Sequence, residues 1–169
     1  MFKIISYVLR PNCIISDLND VVNNQGNYFI AITDSIELKK MHMNINFQYL
    51  EGAICIKYAG KIIMDVRYWD LVDQLWSYLL NLIETVLEKG EASSYFPDQP
   101  VHINFRILSE ELLAFSIGDT PYILPKLDFL TALIEGAEQF FINMNHTFSS
   151  HCNYSYELSK VAGLKEKLR

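Results

Sequence analysis

The sequence predicts an α+β fold: a mainly antiparallel sheet of about five to seven strands, two long amphipathic helices packed on it, and a short C-terminal helix. Three observations predict it. Short apolar segments, the clearest of them alternating with period two, fall within residues 2–67 and again at 101–117. Two longer segments, near 69–89 and 125–145, repeat their apolar residues at helical spacing. The 169 residues suffice for one domain with a substantial core and are too few for two, so residues 1–169 read as a single unit.

Phe2 to Leu9 reads as a first strand; Lys3 interrupts its apolar run and Arg10-Pro11 ends it, which is not the pattern of a secretion signal. Ser16 to Gly26 begins with an N-cap candidate and ends on a C-cap glycine, and fits a short helix or a loop. Tyr28 to Thr33 adds a strand. In Met43-Asn44-Ile45-Asn46-Phe47-Gln48-Tyr49 every odd position is apolar and every even one is an amide, which predicts a half-buried strand. Ala53 to Tyr58 and Lys61 to Arg67 then flank Ala59-Gly60, and the three segments together read as an antiparallel meander.

The clearest helix runs from Trp69 to Lys89 and is closed by Gly90. At about 100° per residue, Asp70, Asp73, Asn81, Glu84 and Glu88 fall with their polar neighbours inside an arc of roughly 120°. The rest of its circumference is apolar, so this helix should be clasped on more than one side. The exposed stripe has no Lys or Arg before Lys89 to neutralise it through i,i+4 pairs.

After the segment Tyr95-Phe96-Pro97-Asp98-Gln99-Pro100, Val101 to Ile107 and Leu112 to Ile117 read as a hairpin around Leu108-Ser109-Glu110-Glu111, which Asp119-Thr120-Pro121 ends. Pro97 and Pro100 stop the preceding helix and bias Phe96 and Gln99 toward extended geometry. The second long helix spans about Pro125 to Asn145, with Pro125 suited to its first turn. A short basic helix from Tyr156 to Leu168 completes the set.

Composition narrows the classes of function. No apolar run reaches the roughly 18 residues that span a bilayer. Three widely spaced cysteines, Cys13, Cys55 and Cys152, argue for a reducing cytosol rather than a disulfide framework. The net charge of −6 is unevenly spread: residues 1–64 carry +1, residues 65–138 carry −9 and residues 139–169 carry +2. An acidic middle block repels a phosphate backbone and suits a basic partner, so no nucleic-acid partner is expected.

No phosphate-cradling glycine pattern and no glycine-flanked serine nucleophile is present. His146, His151 and Cys152 are the only gathering of metal-ligand types, and they read as ordinary surface residues; no metal or other cofactor is expected. Glu110-Glu111 and Asp70 with Asp73 are paired carboxylates, but their spacing fits a turn and a solvated helix face as readily as acid/base chemistry. Tyr68, Trp69, Tyr95, Phe96 and Tyr122 lie at element boundaries, where aromatics either plug the core or form an interface.

The order of elements resembles the small α+β immunity proteins of bacterial polymorphic toxin systems. So does the passage Tyr95-Phe96-Pro97-Asp98-Gln99-Pro100 followed by Val101-His102-Ile103-Asn104-Phe105. The resemblance implies a cytosolic, non-catalytic protein that binds a cognate toxin domain and blocks its active site or substrate path. A basic, nuclease-type toxin would suit the acidic block through steered association. On this reading the partner meets Asp70, Asp73, Glu84 and Glu88 on the helix and nearby Tyr95, Asp98, Glu110 and Glu111. The competing readings are a small-molecule-binding or enzymatic domain with its pocket between sheet and helices, and a structural subunit of a larger assembly.

Overall fold

Alternating and helical segments sort into two antiparallel sheets and six α-helices in a computed structural model that describes all 169 residues, Met1 to Arg169. In chain order these are β1 (Phe2–Leu9), α1 (Leu18–Asn23), α2 (Gln25–Tyr28), β2 (Phe29–Ala31), α3 (Ser35–Met41), β3 (Glu51–Tyr58) and β4 (Lys61–Met64). They continue with β5 (Asp70–Leu71), α4 (Val72–Lys89), β6 (Glu91–Tyr95), β7 (His102–Ile107), β8 (Leu112–Ile117), β9 (Thr120–Pro125), α5 (Lys126–Thr147) and α6 (Ser155–Lys167). The first sheet has the order β2-β1-β3-β4, with β5 also paired to β3; the second is the meander β6-β7-β8-β9.

The α+β class is as the sequence predicts, but the strands divide between two sheets. The wide apolar face of α4 explains how one core serves both. This helix touches β1, β3 and β5 of the first sheet, β6 and β7 of the second, and both α5 and α6. Its Trp76 is fully buried, and the indole N–H, which cannot be left unpaired there, donates to Ser6 Oγ on β1 at 3.0 Å. Gly90 ends the helix in the left-handed conformation at φ 83°, which a residue with a Cβ adopts only at a cost. Phe105, Phe115 and Phe129 pack edge-on and stacked between the second sheet and α5.

Four local expectations are corrected. Met43 to Tyr49 is no strand: His42–Asn44 form a 3₁₀ turn, and Asn46 Oδ1 accepts the Gln48 N–H at 3.1 Å. Amides that can bond their own backbone offer it an alternative to a ladder, and Phe47 still reaches the core edge-on to the buried Phe148, their rings 4.9 Å apart. The helix starts at Val72 rather than Trp69, because Asp70 and Leu71 pair with Gly52 and Glu51 of β3. Thr120 to Pro125 does not end the second hairpin but extends it; Pro121 and Pro125 are tolerated because β9 is an edge strand. Glu91 to Tyr95 is a strand rather than a connection. The unassigned α3 did carry a signal, since Asp34 Oδ1 caps the Glu37 N–H at 3.1 Å in an Asp-x-x-Glu pattern.

Candidate functional site

The acidic stripe of α4 is neutralised from within the chain. Lys160 of α6 reaches Glu84 at 2.7 Å and Asn81 at 2.6 Å, and Lys167 reaches Glu84 at 3.2 Å and Glu88 at 3.0 Å. Lys165 pairs with Glu138 of α5, while Val161 and Leu164 are buried beneath the lysines. The expectation of an unpaired stripe is thus corrected: the basic C-terminal helix lies across it. Acids four residues apart facing lysines seven apart were a readable signal, since both spacings put the charges on one side of a helix.

Lys160 first, then Lys167, holds the Glu84 carboxyl below its ordinary value of 4.5. A carboxyl whose folded value is depressed contributes its stability above the unfolded value and loses it as pH falls through the folded one. Amide exchange protection across α6 is therefore expected to fall below about pH 4.5, and to fall at neutral pH in about 1 M salt, where screening is strong. Protection of residues 155–167 that followed neither variable would mean that Val161 and Leu164 alone hold the helix.

Asp73 is no surface acid either. The Tyr154 hydroxyl donates to its Oδ2 at 3.1 Å, and burial pushes the Asp73 carboxyl up. Burial likewise pushes up the Tyr154 hydroxyl, with the Asp73 charge beside it, and the Cys152 thiol. These groups form a local polar contact at the N-terminal end of α6, where Tyr154 adjoins Phe140 and Phe141.

Asp70 departs furthest from expectation. It is 3% exposed, and its carboxylate accepts the backbone N–H groups of Leu71, Asp98 and Gln99 at 2.6, 3.0 and 2.7 Å. Gln99 closes the clasp by donating its side-chain amide to the Trp69 carbonyl. The Pro97–Pro100 turn is thereby tied to the first sheet. Phe96 is buried beside Tyr68, Tyr95 points out at 62% exposed, and Asp98 accepts the Tyr49 hydroxyl at 2.8 Å.

What remains open is the outer face of the second sheet. Its inner face buries Ile103, Phe105, Leu113, Phe115, Ile117 and Leu124. The alternate positions form outward rows across the strands: Ser93, Asn104 and Ser116; Arg106, Ala114 and Ile123; and Tyr95 beside His102, their rings 5.1 Å apart. Ile123 is 66% exposed on the β9 edge.

Around this face stand Glu91, Asp98, Glu110, Glu111 and Asp119, with Arg106 on the face and Lys89 and Lys126 at the end that carries Glu91, Glu110 and Glu111. None of the five acids is in an ion pair. Connectivity puts Asp98 and Asp119 at one end of the sheet and Glu91, Glu110 and Glu111 at the other. Of the eight residues expected to meet a partner, Tyr95 and Asp98 lie at one end of this sheet and Glu110 and Glu111 at the other. Asp70, Asp73, Glu84 and Glu88 are engaged within the fold. Tyr49 is expected in a strand and Ile123 in no element, between the turn Asp119-Thr120-Pro121 and the helix from Pro125, and so the sequence misses both.

The His146, His151 and Cys152 segment holds no metal-ligand group, nor does any other part of the chain. His151 instead stacks on Phe47, and Ser150 lies 2.9 Å from its Nδ1. Burial pushes the Cys55 thiol up to about 12, which leaves it protonated and unreactive. No helix is long and apolar enough to cross a membrane.

The fold and site define an α+β protein with two antiparallel sheets, one of them presenting an open face bordered by unpaired acids. No family model, curated protein or solved structure matches the chain.

Proposed function

We propose that this chain is a non-catalytic, cytosolic binding protein that receives a basic protein partner on the outer face of the second sheet. An immunity protein neutralising a toxin domain is the form of this role that its resemblance implies. The observation that carries the reading is five carboxylates in no ion pair around a face that carries Arg106 and exposes Tyr95 and Ile123, with Asp98 and Asp119 at the end away from Lys89 and Lys126. Carboxylates at both ends steer a basic partner, and exposed aromatic and aliphatic side chains supply desolvated contact between them.

The test uses the purified product of the gene immediately upstream, which for an immunity protein encodes the toxin. Association should be fast at low salt and slow steeply as salt rises. Asp98→Lys combined with Glu111→Lys should reduce the on-rate about tenfold or more. Glu88→Gln, on the face covered by α6, should change it little. Absence of binding to that product, or a charge-reversed variant that binds as the wild type does, would remove the reading.

A further inference from the structure

A separate hollow lies on the outer face of the first sheet, where α1 and α2 cover only part of β1, β3 and β4. Its volume is about 300 Å³, at the lower end for small-molecule sites. Antiparallel register sets Lys3 directly opposite Lys57, and Ile5 directly opposite Cys55 one pleat further on. Residues paired in this way point to the same side of the sheet. Two lysines therefore stand over an apolar floor of Ile5 and Cys55, walled by Val22, Ile62, Tyr7 and Gln25.

Like charges directly opposite each other weaken a sheet, and their Cβ atoms are only about 5 Å apart. A carboxylate partner would relieve the repulsion, yet neither lysine is in an ion pair. Asp65, the one acid lining the hollow, feels the Lys57 charge but is held by Arg67, at 3.0 Å through Nε and at 2.6 Å through a terminal nitrogen. The lysine pair is left as a positive rim over a floor that binds no charge.

We propose that this hollow is a binding site for a small amphipathic carboxylate, its apolar body on Ile5 and Cys55 and its carboxylate between Lys3 and Lys57. The space is that of about ten water molecules, which sets the size of the ligand at a short aliphatic or single-ring acid. Such a ligand offsets the repulsion between the lysines and covers the apolar floor at once. A bare anion does only the first, and a neutral alcohol only the second.

Sodium hexanoate, hexanol and inorganic phosphate are the probes, titrated into the ¹⁵N-labelled full chain and followed by amide chemical shifts. Hexanoate is expected to give saturable shifts centred on Ile5, Cys55 and Ile62, with a dissociation constant of about 1 mM, and to bind about tenfold more tightly than either other probe. Lys3→Gln with Lys57→Gln relieves a like-charge pair and should fold at least as well as the wild type. It should weaken hexanoate about tenfold and leave hexanol unchanged. The proposal is overturned if hexanoate gives no saturable shifts at these amides. It is equally overturned if hexanol or phosphate matches hexanoate, or if the double variant binds hexanoate as the wild type does.

Discussion

Gly52→Ala is expected to destabilise the protein by about 3 kcal/mol, the upper range for forcing atoms into a packed site. Gly52 lies in β3 with Val8 of β1 on one side and Asp70 of β5 on the other. A Cβ built there would sit 2.1 Å from the Tyr7 carbonyl oxygen and 2.7 Å from a Val72 methyl. The first of these belongs to the backbone of a strand paired on both sides, so it cannot swing aside as a side chain would. At roughly 2 to 4 °C per kcal/mol for a chain of this size, the midpoint of thermal unfolding should drop by about 6 to 12 °C. Gly136→Ala is the comparison: its Cβ would meet only side chains, Trp76 at 2.9 Å and Ile4 at 3.0 Å. Alanine also recovers about 1 kcal/mol of helix propensity there. An equal loss in the two variants would show that β1 can move away from β3.

Asp70→Ala is expected to cost about 2 to 3 kcal/mol. It strips the acceptor from the Leu71, Asp98 and Gln99 N–H groups, and an unsatisfied buried donor costs about 1 to 3 kcal/mol. Part of that is recovered where water can reach Asp98, whose side chain is on the surface. Asp70→Asn keeps one acceptor oxygen but turns an NH₂ toward donors, so an intermediate loss is expected. Amide exchange should accelerate first at Asp98 and Gln99, before the core strands respond. Unfolding at wild-type temperature with unchanged exchange at those two amides would show that the prolines alone fix the turn. A charge reversal at Asp70 would likewise report folding rather than partner binding.

How much of this was readable in the sequence depended on how local the determining interactions are. Both long helices were legible because nine or more turns of apolar periodicity, summed over the two, leave little room for another structure. The β7–β8 hairpin was legible for the same reason at period two. Met43 to Tyr49 was misread because alternation records which side chains go inward and not where the backbone N–H groups find partners; Asn46 supplied one from its own side chain. β9 was hidden by Pro121 and Pro125, residues that exclude a central strand but not an edge, and edge position is a property of the assembled sheet.

The candidate site divides along the same line. Tyr95, Asp98, Glu110 and Glu111 sit in or beside turns, where sequence alone places a side chain at the surface. Asp70, Asp73, Glu84 and Glu88 occupy a stripe whose exposure was inferred from one helix considered in isolation. A helical wheel marks the polar side of a helix without saying whether water or another segment meets it.

By itself the sequence determined the α+β class, the two long helices, the wide apolar face of α4 and the excess of acid in the middle of the chain. These follow from composition and from periodicity within one segment. Only the tertiary structure decided which acids remain free. Lys160 meets Glu84 across 76 residues of chain, and the backbone of Asp98 meets Asp70 across 28. The energy of a charge depends on the partner a few ångströms away, and that partner is chosen by packing rather than by position in the chain. Once those pairs are made, the acids around the open sheet are still in no ion pair, and neither are Lys3 and Lys57 above their apolar hollow.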